Sequence, residues 1–294
     1  MRIVAKTASR RRFIRRGMEL GGGLLAVPAL AQTPDAGPVN DTLRTIHSLR
    51  TIHGDFSDKQ VPDREVKAIL GASIRAASAS NMQSYSIIVV RDAATMQKLT
   101  GYRGSCLLLY CADYNRTIDT AKLMGYEFHA DNMEAFITAS TNTMLAAQTA
   151  VIAARSLGID SLLTNGIHRG DMERIWTLLD LPQTACYPLI ALILGYPRTE
   201  PDHKKGRLSG PGVIHNEKYH RLSQEELGKI ILLCDDKAMQ LNQSEGFEKK
   251  GYKHYLDWFY KEWAGRGRTT GETPMFKRLK KSGFVDLAGE GPKT

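Results

Sequence analysis

Residues 187–194 read YPLIALIL, an uninterrupted apolar stretch that ends at Gly195-Tyr196-Pro197. A second stretch, CLLLYC at residues 106–111, also lacks the alternation of polar and apolar residues that marks a half-exposed strand. Strands that are apolar on both sides belong in a sheet that is covered on both faces. Helical patterns separate these stretches, so the sequence predicts an α+β fold with a central sheet flanked by helices on both faces.

Shorter patterns predict the remaining elements. YSIIVV at residues 85–90 and DSLLT at residues 160–164 read as two further strands. Helical spacing and start signals predict helices at residues 40–49, 63–77, 93–99, 171–179 and 223–234. The longest predicted helix, Asp131 to Leu157, is apolar almost all round, which is typical of a helix buried in a core or in a dimer interface.

The N-terminus carries a targeting signal. Residues 9–15 read SRRRFIR, and an apolar stretch then leads to ALA at residues 29–31. This pattern is similar to a twin-arginine export signal with its cleavage site. A membrane anchor is the alternative, but the run from Gly17 to Ala31 contains Glu19 and Pro28 and is shorter than the roughly 20 apolar residues that span a bilayer. The sequence predicts a signal peptide at residues 1–31, passage through the twin-arginine translocase and a periplasmic location.

The basic charge of the chain comes mostly from that segment. The whole sequence has a formal net charge of +9, with 40 Lys and Arg against 31 Asp and Glu. Residues 1–31 hold seven of these basic side chains and one of the acidic ones, so the rest of the chain has a net charge of only +3. A basic protein often binds nucleic acid. Here the excess charge leaves with the signal peptide, and no nucleic-acid partner is predicted.

Composition shifts divide the rest of the chain. Residues 32–40 read as a linker, residues 41–264 as one domain with an aromatic C-terminal arm, and the basic, Gly-rich residues 265–294 as a flexible tail. Cys106 and Cys111 are five residues apart in a predicted strand, which places them on opposite faces as buried thiols. The spacing of the four cysteines and eight histidines does not suggest a metal site, and none is predicted.

Three separated polar blocks carry the candidate functional residues. They read RTIHGDF at residues 50–56, ASASNMQSY at 77–85 and LGIDSLLTNG at 157–166, with KGR following at 205–207. In this order and spacing they resemble the nitroreductase family of FMN proteins, from about residue 41 to residue 210. The resemblance implies a nitroreductase-like fold, an FMN-binding homodimer and redox chemistry at the flavin N5 atom.

The resemblance implies a phosphate site built from basic residues. Arg50 stands where the family's first arginine binds the FMN phosphate, a task that suits the planar guanidinium group, and Thr51 follows it among the cofactor-binding residues. Lys205 and Arg207 match the basic pair that closes over the same phosphate. Taken singly, an arginine such as Arg50 is most often a solvated side chain or a surface ion pair. The ordered occurrence of all three blocks favours cofactor contacts.

The resemblance also implies contacts to the rest of the flavin. Ser78 and Asn81 lie in a small polar turn that, in related dimers, reaches the flavin of the other subunit. Asn165 and Gly166 match a turn whose backbone N–H faces the flavin N5 atom and stabilises developing charge there. No catalytic acid, base or nucleophile is assigned, because the cofactor carries the redox chemistry.

Two departures from the family pattern bear on the electron donor. Ile52 and Gly54 occupy places that are usually polar, and Gly54 stands where a cation often helps to seat a reduced nicotinamide. The predicted export also separates the protein from cytoplasmic dinucleotides, so the sequence predicts a quinol or a redox protein as donor. The predicted function is a periplasmic FMN-dependent oxidoreductase for small electron-poor aromatic or quinone-like substrates. A cytoplasmic NAD(P)H-dependent nitroreductase or flavin reductase, or a non-catalytic flavin-binding protein, stay open as alternatives.

Overall fold

The computed structural model of the chain describes residues 40–210, 212–242, 246–265 and 272–285. A four-stranded antiparallel sheet lies at its centre, in the order β1-β2-β4-β3. The strands are β1 (Tyr85–Val90), β2 (Cys106–Asp113), β3 (Asp160–Thr164) and β4 (Cys186–Gly195). The two apolar stretches form the central pair, with Leu108 opposite Leu192. The predicted signal peptide lies outside the described residues.

Nine α-helices accompany the sheet in the described ranges. They are α1 (Asp41–His47), α2 (Asp63–Ser73), α3 (Ala93–Thr100), α4 (Asn115–Leu123), α5 (Met133–Ser156), α6 (Glu173–Leu179), α7 (Gln224–Asp235), α8 (Tyr255–Trp258) and α9 (Pro274–Lys281). In the described ranges, no helix combines the length and the apolar character that crossing a membrane requires.

The side chains of β2 divide between two hydrophobic clusters, one on each face of the sheet. Leu107, Leu109 and Cys111 pack in a cluster that includes Trp176 of α6. Cys106 and Leu108 pack on the opposite face, in a cluster with residues of α2 and α5. This alternation follows from the two-residue period of a strand. It confirms the predicted α+β fold with a sheet covered on both faces, and it places Cys106 and Cys111 on opposite faces as predicted.

Helix α5 is the main helix against the second face. Asn132 caps its start by accepting a hydrogen bond from the Ala135 N–H, and Gly158, with φ +72°, follows its end. Alanines on the inner side allow close approach to the sheet, as Ala146, Ala147 and Ala150 are fully buried. The opposite side exposes Met133, Ile137 and Leu145, with the exposed Thr141 between the last two, and these three apolar side chains form the apolar stripe of α5. The predicted all-round apolar helix is therefore covered on one side only within this chain.

The region after residue 265 differs from the predicted flexible tail. Residues 272–285 contain α9, which packs on the first face of the sheet. The Arg278 guanidinium lies 3.6 Å from the centre of the Trp176 ring and donates to Gln183 Oε1 at 3.1 Å. Phe284 is fully buried. Basic composition suggested a solvated tail, but the contacts of Arg278 and the burial of Phe284 hold the segment in the core.

The aromatic segment at residues 252–263 packs on its own chain. Tyr255 is buried in a small separate cluster with Cys234 of α7 and Phe247. Asp235 fixes this arrangement, because its carboxylate accepts from the Tyr255 N–H at 2.7 Å and bonds to His254 Nδ1 at 2.6 Å. Tyr260 and Trp263 remain exposed.

Candidate functional site

The segment that begins at Arg50 forms an extra edge beside β3. Thr51 forms a parallel bridge with Ser161, and the Ile52 N–H donates to the Ser161 carbonyl at 3.1 Å. The Ile52 side chain is buried, whereas those of Thr51 and His53 are exposed. This is the alternation expected of extended backbone. The apolar Ile52 therefore anchors the segment and leaves its neighbours at the surface.

Arg50 lies between two carboxylates of different character. Its guanidinium makes a two-point contact with the buried Asp160, with Nε to Oδ1 at 3.0 Å and Nη2 to Oδ2 at 2.7 Å. It also binds the exposed Glu200 through Nη1 and, at 3.1 Å, through Nη2. The hydrogen bonds that Arg50 donates to Asp160 and Glu200 raise the pKa of Arg50 above its ordinary value. The hydrogen bond from Arg50 lowers the pKa of Glu200, so this carboxylate is charged at neutral pH.

Asp160 is fixed by a second arginine. Arg155, from the last turn of α5, donates to Asp160 Oδ1 at 2.9 Å and to Ser48 Oγ at 3.0 Å. The two guanidinium groups thus hold one buried carboxylate. The attraction between these opposite charges offsets the free-energy cost of removing them from water. This network sets the orientation of Arg50 at the edge of the sheet.

The predicted basic pair lies on an exposed segment near the end of α1. Lys204 Nζ donates to the His47 carbonyl, which brings the segment beside Arg50. The Arg207 guanidinium donates to its own loop, at the carbonyl of Gly206. No carboxylate of the described residues forms an ion pair with Lys205 or Arg207. Their positive charges are therefore available to an anionic ligand.

The predicted turn at Asn165-Gly166 follows β3 directly. The Gly166 N–H donates to Thr164 Oγ1 at 2.9 Å. A Cβ atom at Gly166 would lie 3.1 Å from the Thr100 carbonyl oxygen, so glycine allows this close approach. Asn165 is exposed, and its N–H has no acceptor among the described residues. The Asn165 N–H is therefore the donor of this turn that a ligand could use.

His53 and Gly54 lie against Tyr102. The His53 ring stacks on the Tyr102 ring with centroids 5.7 Å apart, and a Cβ atom at Gly54 would lie 2.9 Å from Tyr102 Cδ1. Gly54 also has φ +89°, a conformation that other residues rarely adopt. The absence of a cation at position 54 thus has a steric reason. The exposed side chains of His53 and Asp55 flank Gly54 along the segment, and sequence reasoning singled out neither of them.

The turn that contains Ser78 and Asn81 is strained. Ser80, Asn81 and Gln83 have φ of 48°, 54° and 49°, in the left-handed region. Such clusters of unfavourable backbone angles are common at ligand sites. The turn is closed internally, because Ser78 Oγ accepts from the Gln83 N–H at 2.8 Å and Asn81 Oδ1 accepts from Gln83 Nε2 at 3.1 Å.

Two residues that the sequence analysis missed hold this turn in place. Asn142 of α5 is buried; its Oδ1 accepts from the Ala79 N–H at 2.9 Å and its Nδ2 donates to Ser84 Oγ at 2.8 Å. Arg116 of α4 donates to the Met82 carbonyl at 3.1 Å. A single asparagine within an apolar helix was the available signal for Asn142. The bonds from α5 and α4 offset the strain of the turn.

The predicted site residues fall into two groups within one chain. Arg50, Thr51, Asn165 and Gly166 lie along β3, at one edge of the sheet, with Lys205 and Arg207 on the segment beside Arg50. Ser78 and Asn81 precede β1, at the opposite edge. Three inter-strand spacings, about 14 Å, separate the two edges. A single chain therefore does not bring the two groups into contact.

Comparison with known proteins finds the same family that the three blocks resemble. A sequence model of the nitroreductase family matches residues 46–107. The oxygen-insensitive NADPH nitroreductase of Salmonella typhimurium is 30% identical over 182 residues, which cover 59% of this chain and 73% of that protein. The FMN reductase (NADPH) of Bacillus subtilis is 29% identical over 192 residues, which cover 62% of this chain and 76% of that protein. The solved structure of B. megaterium NfrA2 superposes with a TM-score of 0.69 at 26% identity, over 83% of this chain and 98% of that one.

Proposed function

The chain belongs to the nitroreductase family of FMN-dependent oxidoreductases, and we propose that it transfers electrons from NADPH to small electron-poor substrates such as quinones and nitroaromatics. Two curated relatives are named as NADPH enzymes, one a nitroreductase and the other an FMN reductase. These names favour a dinucleotide donor over the quinol or redox-protein donor that the sequence predicts.

One observation carries the cofactor assignment: the outer edge of Arg50 already binds an exposed carboxylate. A carboxylate on a guanidinium stands in for a phosphate, because both accept parallel N–H···O bonds. The neighbouring segment supplies Lys205 and Arg207, whose charges are not paired with described carboxylates. These donors fit the phosphate group of FMN.

The chain's own residues bind and orient the cofactor, and FMN supplies the two-electron redox chemistry when it is bound. Asp160 and Arg155 fix Arg50, so the guanidinium is oriented before the phosphate arrives. The exposed Asn165 N–H offers a donor at the end of β3. No side chain is required to move a proton in the flavin step.

We infer that the functional unit is a homodimer. A second copy can bring the turn at Ser78 and Asn81 to the flavin held along β3 of the first, which one chain alone does not do. The exposed apolar stripe of α5, formed by Met133, Ile137 and Leu145, supplies a surface for such contact. Light scattering of the FMN-loaded protein should give twice the chain mass. A single-chain mass would contradict the inference.

The donor is tested by anaerobic stopped-flow reduction of the bound flavin. Rapid and saturable reduction by NADPH is expected, with a soluble quinol as the comparison. A protein that the quinol reduces faster than NADPH does would instead be the periplasmic oxidoreductase predicted from the sequence. If neither donor reduces the flavin at a useful rate, the chain would be a non-catalytic flavin-binding protein.

The SRRRFIR stretch favours this periplasmic function as a second candidate. We propose that the chain is exported folded, with FMN bound, which would remove it from the NADPH pool. Cell fractionation of the wild type and of a variant with Arg10→Lys and Arg11→Lys tests this. The wild type should lie in the periplasm and the variant in the cytoplasm with its FMN retained. Cytoplasmic wild-type protein would exclude the export proposal.

A further inference from the structure

The two carboxylates on Arg50 differ in how firmly the protein holds them. The Asp160 side chain is 3% exposed and has Arg155 as a second partner, at 2.9 Å. The Glu200 side chain is 71% exposed, and its ion pair is with Arg50. Asp160 is therefore a fixed part of the site, whereas Glu200 can leave Arg50 without burying an unpaired charge.

We propose that Glu200 competes with the FMN phosphate for Arg50, occupying the outer edge of the guanidinium until the cofactor displaces it. The inference rests on the phosphate site proposed above. Four of the five N–H groups of Arg50 are used by Asp160 and Glu200 together. A phosphate that binds Arg50 at two points needs the two N–H groups that Glu200 now holds. The negative charge of Glu200 would also repel a phosphate dianion.

The local charge balance supports competition. Arg50 and Arg155 contribute two positive charges, and Asp160 and Glu200 contribute two negative charges, so this network is neutral while Glu200 is bound. Departure of Glu200 leaves one positive charge, beside the segment that carries Lys205 and Arg207. The site is thus more favourable to an anion after the exchange than before it.

The backbone around Glu200 is fixed at both ends and exposed between them. At one end the Arg198 N–H donates to the Asp55 carbonyl at 2.8 Å. At the other end the Gly206 N–H donates to the Gln240 carbonyl at 3.0 Å, and a Cβ atom at Gly206 would lie only 1.9 Å from the Met239 oxygen. Residues 199–205 form a strap between these anchors. Within the strap, Lys204 Nζ also donates to the His47 carbonyl. Release of Glu200 therefore breaks the strap's contact with Arg50, while the bonds of Lys204 and Gly206 stay in place.

A neutral variant and a matched control test the competition. Glu200→Gln removes the competing charge and keeps the side-chain shape, whereas Asp202→Asn removes an equal charge two residues away, from an exposed carboxylate that pairs with no basic residue in the described ranges. FMN is titrated into the flavin-free proteins, and quenching of flavin fluorescence gives Kd. Glu200→Gln should bind FMN about fivefold more tightly, the equivalent of about 1 kcal/mol for an exposed ion pair. Asp202→Asn should change Kd less than about twofold, as a surface substitution away from the site.

Riboflavin, which lacks the phosphate, provides the second measurement. Its Kd should be the same in wild type and in Glu200→Gln, because the competition concerns the phosphate alone. Glu200→Asp keeps the charge but shortens the side chain, so it serves as the second variant if Glu200→Gln does not fold; it should also tighten FMN binding.

The proposal is overturned if Glu200→Gln leaves FMN affinity unchanged, weakens it, or tightens it no more than Asp202→Asn does. Equal tightening of riboflavin and FMN would also overturn it. A wild-type protein that does not bind FMN at all would instead refute the proposed function.

Discussion

Phe284 is fully buried, and its ring contacts those of Phe136 and Tyr114, with centroid distances of 5.3 Å and 6.4 Å. We expect Phe284→Ala to lower the free energy of unfolding by about 4 kcal/mol. The ring removes about 150 Å² of apolar surface from water, at about 25 cal/mol per Å². Measured Phe→Ala substitutions in cores cost about 3–5 kcal/mol, in agreement with that figure.

The assay is urea unfolding of the flavin-free protein, followed by circular dichroism. Met275→Ala is the matched control, because Met275 lies on α9 in the same segment, residues 272–285, but is 42% exposed. The control should change stability by no more than about 0.5 kcal/mol. Equal and small effects of the two substitutions would mean that residues 272–285 do not pack in the core, and would refute the reasoning.

Loss of the Phe284 ring should also reach the cofactor site. Phe136 contacts Tyr187 with ring centroids 5.6 Å apart, and Tyr187 contacts His168 at 5.9 Å. His168 lies two residues after Gly166, so this row of rings supports the turn at the end of β3. Phe284→Ala should therefore weaken FMN binding measurably, whereas Met275→Ala should leave it unchanged.

Three further substitutions have defined outcomes. Arg50→Ala should weaken FMN binding at least about tenfold, because a charge-assisted bond is lost. It should also destabilise the flavin-free protein by about 2–3 kcal/mol, because the buried Asp160 loses a partner. Arg44→Ala, which removes an exposed ion pair, is the control for stability. Asn142→Ala leaves the Ala79 N–H and the buried Ser84 hydroxyl without their partner, so it should cost about 1–3 kcal/mol in urea unfolding and loosen FMN. Burial lowers the pKa of His168 in the folded protein. As pH falls, the unfolded chain therefore protonates His168 before the folded protein does, and the free energy of unfolding is highest above the unfolded pKa of about 6.5 and decreases as pH falls below it. His168→Gln should reduce that slope in unfolding measured between pH 7.5 and pH 5, and an unchanged slope would assign it to other groups.

Local patterns predicted the frame of this fold well. The strand at residues 160–164 has the predicted bounds, and the helix predicted from Asp131 to Leu157 runs from Met133 to Ser156. Apolar periodicity determines such elements because each buries a defined face. The nitroreductase family and the α+β fold, predicted from the blocks and from the strands, are both confirmed.

Contacts between distant residues escaped the sequence analysis. The ion pairs of Arg50 join residues that are 110 and 150 positions apart, and the sequence offers no local signal for them. Arg278 is one of several basic residues in a polar segment, and its stacking on Trp176 depends on tertiary structure alone. The eight cofactor-binding residues remain predictions, although Arg50 and Thr51 lie beside β3 and Asn165 and Gly166 directly follow it.

The separation of the two groups of site residues across the sheet has a genetic consequence. If each flavin contacts Arg50 of one chain and Asn81 of the other, a dimer has two sites, each with a contribution from both chains. A cell that makes one chain altered at Arg50 and another altered at Asn81 would assemble mixed dimers. In each mixed dimer one site carries both lesions and the other carries neither. Two alleles that are inactive alone would then complement each other. Each mixed dimer would have up to half the activity of a wild-type dimer.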